Sequence, residues 1–234
     1  MRGVYVRRLG RAARVTGMDA LIFDFDGVIA DSEPVHERAI TEAARALGVE
    51  LTHADYMTRI IGLDDRDTFR VIAAMGGLSL SSAELADVVE AKQRDMLARI
   101  DRGEVKAFAG SLELAREAAS VMPVAICSGA ARIEIERILL RFEVSDLFRC
   151  IVTADDVEQA KPDPAGYLMT AQKLGVDPSR CVAIEDTPRG AQAAKSAGLR
   201  VVGVCHSVGR EQLRAVDAVV ESTSELTLDF LRSL

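Results

Sequence analysis

The sequence predicts an α/β fold, a doubly wound parallel sheet with helices on both faces and an all-helical unit inserted into it. Short apolar runs at 20–23, 121–127, 150–153, 181–184, 200–205 and 218–220 are bounded by polar or turn residues. Segments of helical period lie between most of them, which is the alternation that parallel βαβ units require. Residues 32–103 break that alternation and read as helix after helix with no strand signal.

Along the chain, the first strand at 20–23 opens directly after Met18-Asp19. The helical block follows as about 32–47, 52–60, 64–75 and 82–100. Gly48 is a stop for its first helix, and Ser81-x-x-Glu84 is a capping box before its last. Both chain crossings between the two units, near 30–32 and 103–107, are candidate hinges. The second strand, at 121–127, leads through Ser128-Gly129 into a helix expected near Ala130. Asp163-Pro164 and Thr187-Pro188 each read as an N-cap with proline at the first helical position. Gly175 and Gly198 read as helix stops. The alanine-rich stretch at 191–197 reads as a helix packed closely on the sheet. The expected organisation is 18–31 with 104–234 as the core and 32–103 as a helical cap.

Composition narrows the function. With 234 residues, 49% hydrophobic and 28% charged, the chain is neither disordered, nor collagen-like, nor a small disulfide scaffold. No run approaches the roughly 18 apolar residues of a membrane span. The net charge of −7 argues against nucleic acid and anionic membrane as partners. Five arginines and no acid lie in residues 1–17, so the other 24 bases face all 36 acids. That segment lacks the apolar stretch of a secretory signal; it reads as a leader outside the fold, with Met18 as the natural start. The four cysteines sit in or beside apolar runs without zinc-site spacing. A cytoplasmic protein, monomeric or weakly dimeric, is expected.

In an open parallel sheet, ligands bind beyond the carboxyl ends of the strands. There the sequence places Asp24-Phe25-Asp26-Gly27, Ser128-Gly129, Lys161-Pro162 and Glu185-Asp186. Two carboxylates two residues apart share a side if strand geometry persists, with Phe25 facing away. Asp24 with Asp186 or Glu185 can supply the oxygen ligands that Mg²⁺ prefers. A carboxylate can also attack phosphorus, and a second one can protonate the leaving oxygen. Ser128 and Gly129 precede a helix whose free N–H groups favour an anion. Lys161, stiffened by the following proline, can neutralise charge on phosphate and nucleophile.

Together, Asp24-Phe25-Asp26-Gly27-Val28, Ile126-Cys127-Ser128-Gly129, Ala160-Lys161-Pro162-Asp163-Pro164 and Ile184-Glu185-Asp186-Thr187-Pro188-Arg189-Gly190 resemble the four motifs of the haloacid dehalogenase superfamily. The helical insert resembles the cap of its β-phosphoglucomutase-like and sugar phosphatase branch. The resemblance implies a Rossmann-like catalytic core, Asp24 as nucleophile, and Asp26 as general acid and base with its backbone carbonyl on Mg²⁺. It implies phosphoryl binding by Ser128, Gly129 and Lys161, and metal ligation by Asp186 with Glu185 assisting. The presence of Asp26 and the acidic pair favours phosphoryl transfer over carbon–halogen cleavage.

In the cap, His36, Asp65, Arg66 and Lys92 are the candidate substrate residues. By the same resemblance His36 matches a hinge histidine that would help place Asp26, and Lys92 matches a cap lysine. Ile61 and Asp65 stand where the mutase carries a lysine and a phosphate-gripping arginine, and Arg66 is one place out of register. Such replacements repel a second phosphate. The expected activity is therefore Mg²⁺-dependent hydrolysis of a small phosphorylated metabolite, a sugar or polyol phosphate, through an aspartyl-phosphate. The rivals are a β-phosphoglucomutase-like mutase and a non-catalytic phosphometabolite-binding protein.

Overall fold

The computed structural model describes residues 17–234; the expectation of an arginine-rich leader lies, apart from Gly17, outside them. Strand β1 (Ala20–Phe23) is followed by a tight turn and the short β2 (Ala30–Asp31). The insert holds α1 (Glu33–Ala46), α2 (His53–Asp55) running into a π-helical turn at Tyr56–Ile60, α3 (Asp65–Met75) and α4 (Ser82–Asp101). The chain then continues through β3 (Lys106–Ala107), α5 (Ser111–Ala119), β4 (Val124–Cys127), α6 (Arg132–Arg141) and β5 (Phe148–Val152). It ends with α7 (Ala165–Leu174), β6 (Cys181–Glu185), α8 (Pro188–Ser196), β7 (Arg200–Val204), β8 (Ala218–Val220) and α9 (Leu228–Arg232).

The six-stranded sheet has the order β5-β4-β1-β6-β7-β8 and is parallel throughout. Its strands alternate between two apolar layers. Leu21, Phe23, Val124, Ile126, Val182, Ile184, Val202 and Val204 line one face, while Ala20, Ile22, Cys127, Cys181, Ala183 and Val201 line the other. This is the period of two that a sheet covered on both faces imposes. The second face is built of small residues, and α8 presents Ala191, Ala193 and Ala194 to it, the close packing that its composition predicts. Leu140 and Ile133 on α6 remain exposed.

The capping chemistry explains the helix ends. Ser81 and Glu84 form the expected box, Thr187 accepts from the Gly190 N–H, and Gly175 closes α7 in the left-handed conformation at φ 70°. Three details differ from expectation. Helix α6 starts at Arg132 rather than near Ala130, because the Ser128 hydroxyl accepts from the Ala130 N–H and holds a turn there. Helix α7 starts at Ala165 with Pro164 outside it, and Asp163 caps from one position further back by accepting from the Ala165 N–H. The expected helix at 52–60 is divided, with its second half wound as a π-turn. All four cysteines are free, Cys127 and Cys181 buried and Cys150 and Cys205 only partly so.

The two crossings into the insert, expected as hinges, pair with each other: Ala30 faces Ala107 and Asp31 faces Lys106 in a two-residue antiparallel ribbon. Inside the insert, Ile40, Tyr56, Ile60, Phe69, Ile72, Leu85 and Val88 form an apolar cluster of their own. Its base is continuous with the main core, since Val35, Ala39, Met96 and Ile100 belong to the cluster around Phe23 and Phe25. No described helix is long and apolar enough to cross a membrane.

Phe25 links this packing to the site. Its ring is fully buried beside Leu21 and Phe23, and its carbonyl accepts from Val28, Ile29 and Ala30 at 3.3, 2.8 and 2.9 Å. Phe25→Ala should cost about 3–5 kcal/mol, seen as a lower urea midpoint.

Candidate active site

The switch point of the sheet lies at β1, which is flanked by β4 and β6. The chain builds β4 and β5 on one side and then crosses to β6 on the other. The crossover carries Lys161, so the carboxyl ends of β1, β4 and β6 and this connection converge on one place.

Lys161 is the hub. Its ammonium donates to Asp24 Oδ1 at 2.8 Å, Glu185 Oε1 at 2.6 Å and the Cys127 carbonyl at 3.0 Å. Arg189 holds the Lys161 carbonyl at 2.7 Å, fixing the backbone that carries the ammonium. Tyr167 OH donates to Glu185 Oε1 at 2.5 Å. Burial and the Glu185 charge push the Asp24 carboxyl up to about 7, with Lys161 pulling the other way. Burial would lower the Lys161 ammonium, but Asp24 and Glu185 more than offset it and hold it well above its ordinary range.

Asp24, Glu185 and Asp186 bring one carboxylate oxygen each within 4.8 Å of one another. Their donor sets differ. Both oxygens of Glu185 are engaged, by Lys161 and Tyr167 on one side and Thr187 at 3.4 Å on the other. Asp186 Oδ2 accepts from Ser207, whereas Asp186 Oδ1 is buried with no hydrogen-bond partner among the described residues. A buried carboxylate oxygen left bare is costly, and a hard cation among oxygen ligands relieves that cost. The residues fit a divalent cation, with Asp24 and Asp186 as its natural ligands and Glu185 chiefly orienting Lys161. Gly27 makes room: at φ +76°, a Cβ there would lie 1.8 Å from Asp186 Oδ2.

Asp26 accepts from the Ser32 hydroxyl at the entrance to α1. Burial pushes its carboxyl up, opposed by that hydrogen bond and by Lys161 and Lys92. His36, expected to help place Asp26, lies instead with Nε2 3.8 Å from Glu134 Oε2. It stays neutral, since burial and the nearby Lys92 charge lower it to about 3. Ser128 is buried and Gly129 exposed at the end of β4. The Arg132 N–H at the start of α6 donates to Asp155, so an anion here would be met by the Ser128-Gly129 turn rather than by that N–H.

In the insert, Lys92 is 2% exposed. It pairs with Asp65 at 3.0 Å and lies 3.7 Å from Glu134 Oε1 of α6. Arg66 is exposed and outside this cluster, because one residue along a helix turns the side chain by about 100°. Burial pushes Glu134 up to about 7, against the pull of Lys92.

Sequence reasoning missed Ser32, Glu134, Tyr167, His206 and Ser207. His206 stacks on Phe108, with ring centroids 3.9 Å apart, and its Nδ1 meets the Gly27 carbonyl at 2.8 Å. Only Tyr167 offered a signal, as an aromatic hydroxyl six residues after Lys161.

A family model described as haloacid dehalogenase-like hydrolase matches residues 18–198. The chain is 34% identical over 191 residues to the protein CbbY of Rhodobacter capsulatus, covering 79% of this chain and 84% of that one. It is 32% identical to the β-phosphoglucomutase of Bacillus subtilis, covering 92% and 94%. To the phosphorylated carbohydrates phosphatase of Thermotoga maritima it is 30% identical, covering 82% and 87%. Among solved structures, CbbY of Rhodobacter sphaeroides in complex with xylulose-(1,5)bisphosphate superposes with a TM-score of 0.80 at 27% identity, covering 89% of this chain and 96% of that one.

Gly27→Ala should push Asp186 aside and weaken divalent cation binding by at least about tenfold in calorimetric titration. A second outcome concerns pH. A carboxyl raised from 4.5 to about 7 binds its proton more tightly in the folded state, so its contribution is present at low pH and lost as pH rises through that interval. In the cation-free protein, Glu134→Gln should remove up to roughly 3 kcal/mol of that loss, flattening the fall of melting temperature between acidic and neutral pH.

Proposed function

Because the chain belongs to the haloacid dehalogenase-like hydrolase family, we propose that it is a Mg²⁺-dependent phosphatase of a small phosphorylated metabolite, a sugar or polyol phosphate. The observation that carries this reading is the convergence of Asp24, Lys161 and the bare Asp186 oxygen at the switch point, with Asp26 beside them. In this reading 18–31 and 104–234 form the catalytic core and 32–103 the cap, with the paired β2 and β3 as the joint.

Asp24 attacks phosphorus as the bond to the substrate oxygen breaks, and Asp26 gives its proton to the departing alkoxide. The raised Asp26 carboxyl suits a group that must arrive protonated. Asp26, now ionised, takes a proton from water; the water oxygen attacks phosphorus, and the bond to Asp24 breaks to release phosphate. Lys161 neutralises Asp24 and faces the transferring oxygens, while Ser128 and the Gly129 N–H supply donors to them. Mg²⁺ held by Asp24, Asp186 and the Asp26 carbonyl would supply charge neutralisation between nucleophile and phosphoryl group. A closed cap keeps bulk water away from the phosphorylated Asp24.

The Bacillus relative favours a mutase as the second reading. A mutase must grip a bisphosphate at both ends, and here Ile61 and Asp65 occupy the cap loop where cations would be needed. The experiment follows both phosphate release and sugar isomerisation, with Mg²⁺ and a panel of sugar and polyol phosphates. Phosphate release is expected, falling about a thousandfold or more in Asp24→Asn. Isomerisation without net release would establish the mutase, and tight binding without turnover would establish the non-catalytic protein.

A further inference from the structure

Glu134 is a buried acid that the reaction above does not use. It sits on the first turn of α6, six residues after Ser128, so the element that ends the phosphoryl-binding turn also carries this carboxylate into the interface between core and insert. It is 4% exposed. Among the described residues no donor reaches it: its nearest partners are Lys92 Nζ at 3.7 Å and His36 Nε2 at 3.8 Å. Those two groups come from α4 and α1 of the insert, and the charges that Glu134 senses most are Lys92, Asp26 and Asp65. The carboxylate therefore lies where core and insert meet, near enough to Asp26 to sense its charge, and makes no direct hydrogen bond among the described residues.

We propose that Glu134 is a specificity-determining residue, which accepts a hydrogen bond from a hydroxyl on the uncharged tail of the substrate and turns away a second phosphate. The inference rests on the phosphatase reading and narrows its substrate to a polyhydroxylated monophosphate. The cation beside Glu134, Lys92, is already paired with Asp65 at 3.0 Å. A hydroxyl lying beside the pair can donate to Glu134 and accept from Lys92 at once. A phosphate dianion accepts only, and would meet the carboxylates of both Glu134 and Asp65. A site built around a buried acceptor also discriminates strongly against substrates that lack the donor.

The test compares three probes with the full chain and Mg²⁺: a hexitol monophosphate, a hexose bisphosphate and para-nitrophenyl phosphate, which has no tail hydroxyls. The native chain should favour the hexitol monophosphate over the bisphosphate by about a hundredfold in kcat/KM. Glu134→Ala should lower the ratio of hexitol monophosphate to para-nitrophenyl phosphate about tenfold, mainly through KM. Glu134→Gln, which keeps the shape and removes the charge, should raise kcat/KM for the bisphosphate about tenfold. Melting curves show that each variant is folded before its ratios are read. Equal use of mono- and bisphosphate by the native chain, or ratios that stay within about twofold in both variants, would overturn the inference and leave the phosphatase reading standing. No phosphate release from any probe would overturn that reading and the inference with it.

Discussion

One buried ammonium among carboxylates organises this molecule. Lys161 meets Asp24 and Glu185 at once, with Asp186 close behind them. Taking such charges out of water is costly, and the arrangement is tolerable only where geometry supplies compensation on every side. Lys161 spends its donors on two carboxylates and a carbonyl, Tyr167 closes on Glu185, and Arg189 holds the Lys161 backbone. One ammonium does not balance three carboxylates. Burial and the neighbouring carboxylates disfavour charge on Asp186, whose Oδ1 has no hydrogen-bond partner among the described residues; a cation bound there would relieve both costs and let a carboxylate approach a phosphate.

The sheet exists in the form that this cluster needs. Because β1 lies between β4 and β6, residues 137 positions apart in the chain, Asp24 and Lys161, come into contact. The small-residue face under α7 and α8 brings those helices close, and both contribute to the hub, α7 through Tyr167 and α8 through Arg189. The hinge ribbon is tied to the same centre from both strands. Just after β2, Ser32 donates to Asp26; just after β3, Phe108 stacks on the His206 ring that holds the Gly27 carbonyl. Displacement of the insert would thus be felt first by the loop carrying Asp24 and Asp26.

The core was largely legible because its signals are local. Apolar runs of strand length announce a covered parallel sheet, and Thr187, Gly175 and the Ser81–Glu84 pair announce helix ends through bonds made within a few residues. Three of the four polar stations were legible because they stand at strand ends, where ligands meet an open parallel sheet; Lys161 lies further along the connection after β5 and was legible from its place in the order and the proline that follows it. The start of α6 was not legible: Ser128, four residues before the helix, engages the Ala130 N–H in a turn of its own and delays the helix to Arg132. Glu134 could not be read at all. Between Ile133 and Ile135, with Arg132 and Arg137 nearby, it looks like any solvated acid on a helix.

The sequence alone determined the sheet, the inserted helices and the candidate residues for cation and phosphate, because periodicity and strand-end chemistry act over a few residues. Tertiary structure decided which of those residues meet. It engaged Glu185 with Lys161 and left Asp186 Oδ1 without a partner among the described residues; it gave Asp26 to Ser32 rather than His36; it set Lys92 against Asp65, with Glu134 beside Lys92. These outcomes depend on distances between segments far apart in the chain, and burial then fixes the charge each group can carry. No pattern along the chain encodes either quantity.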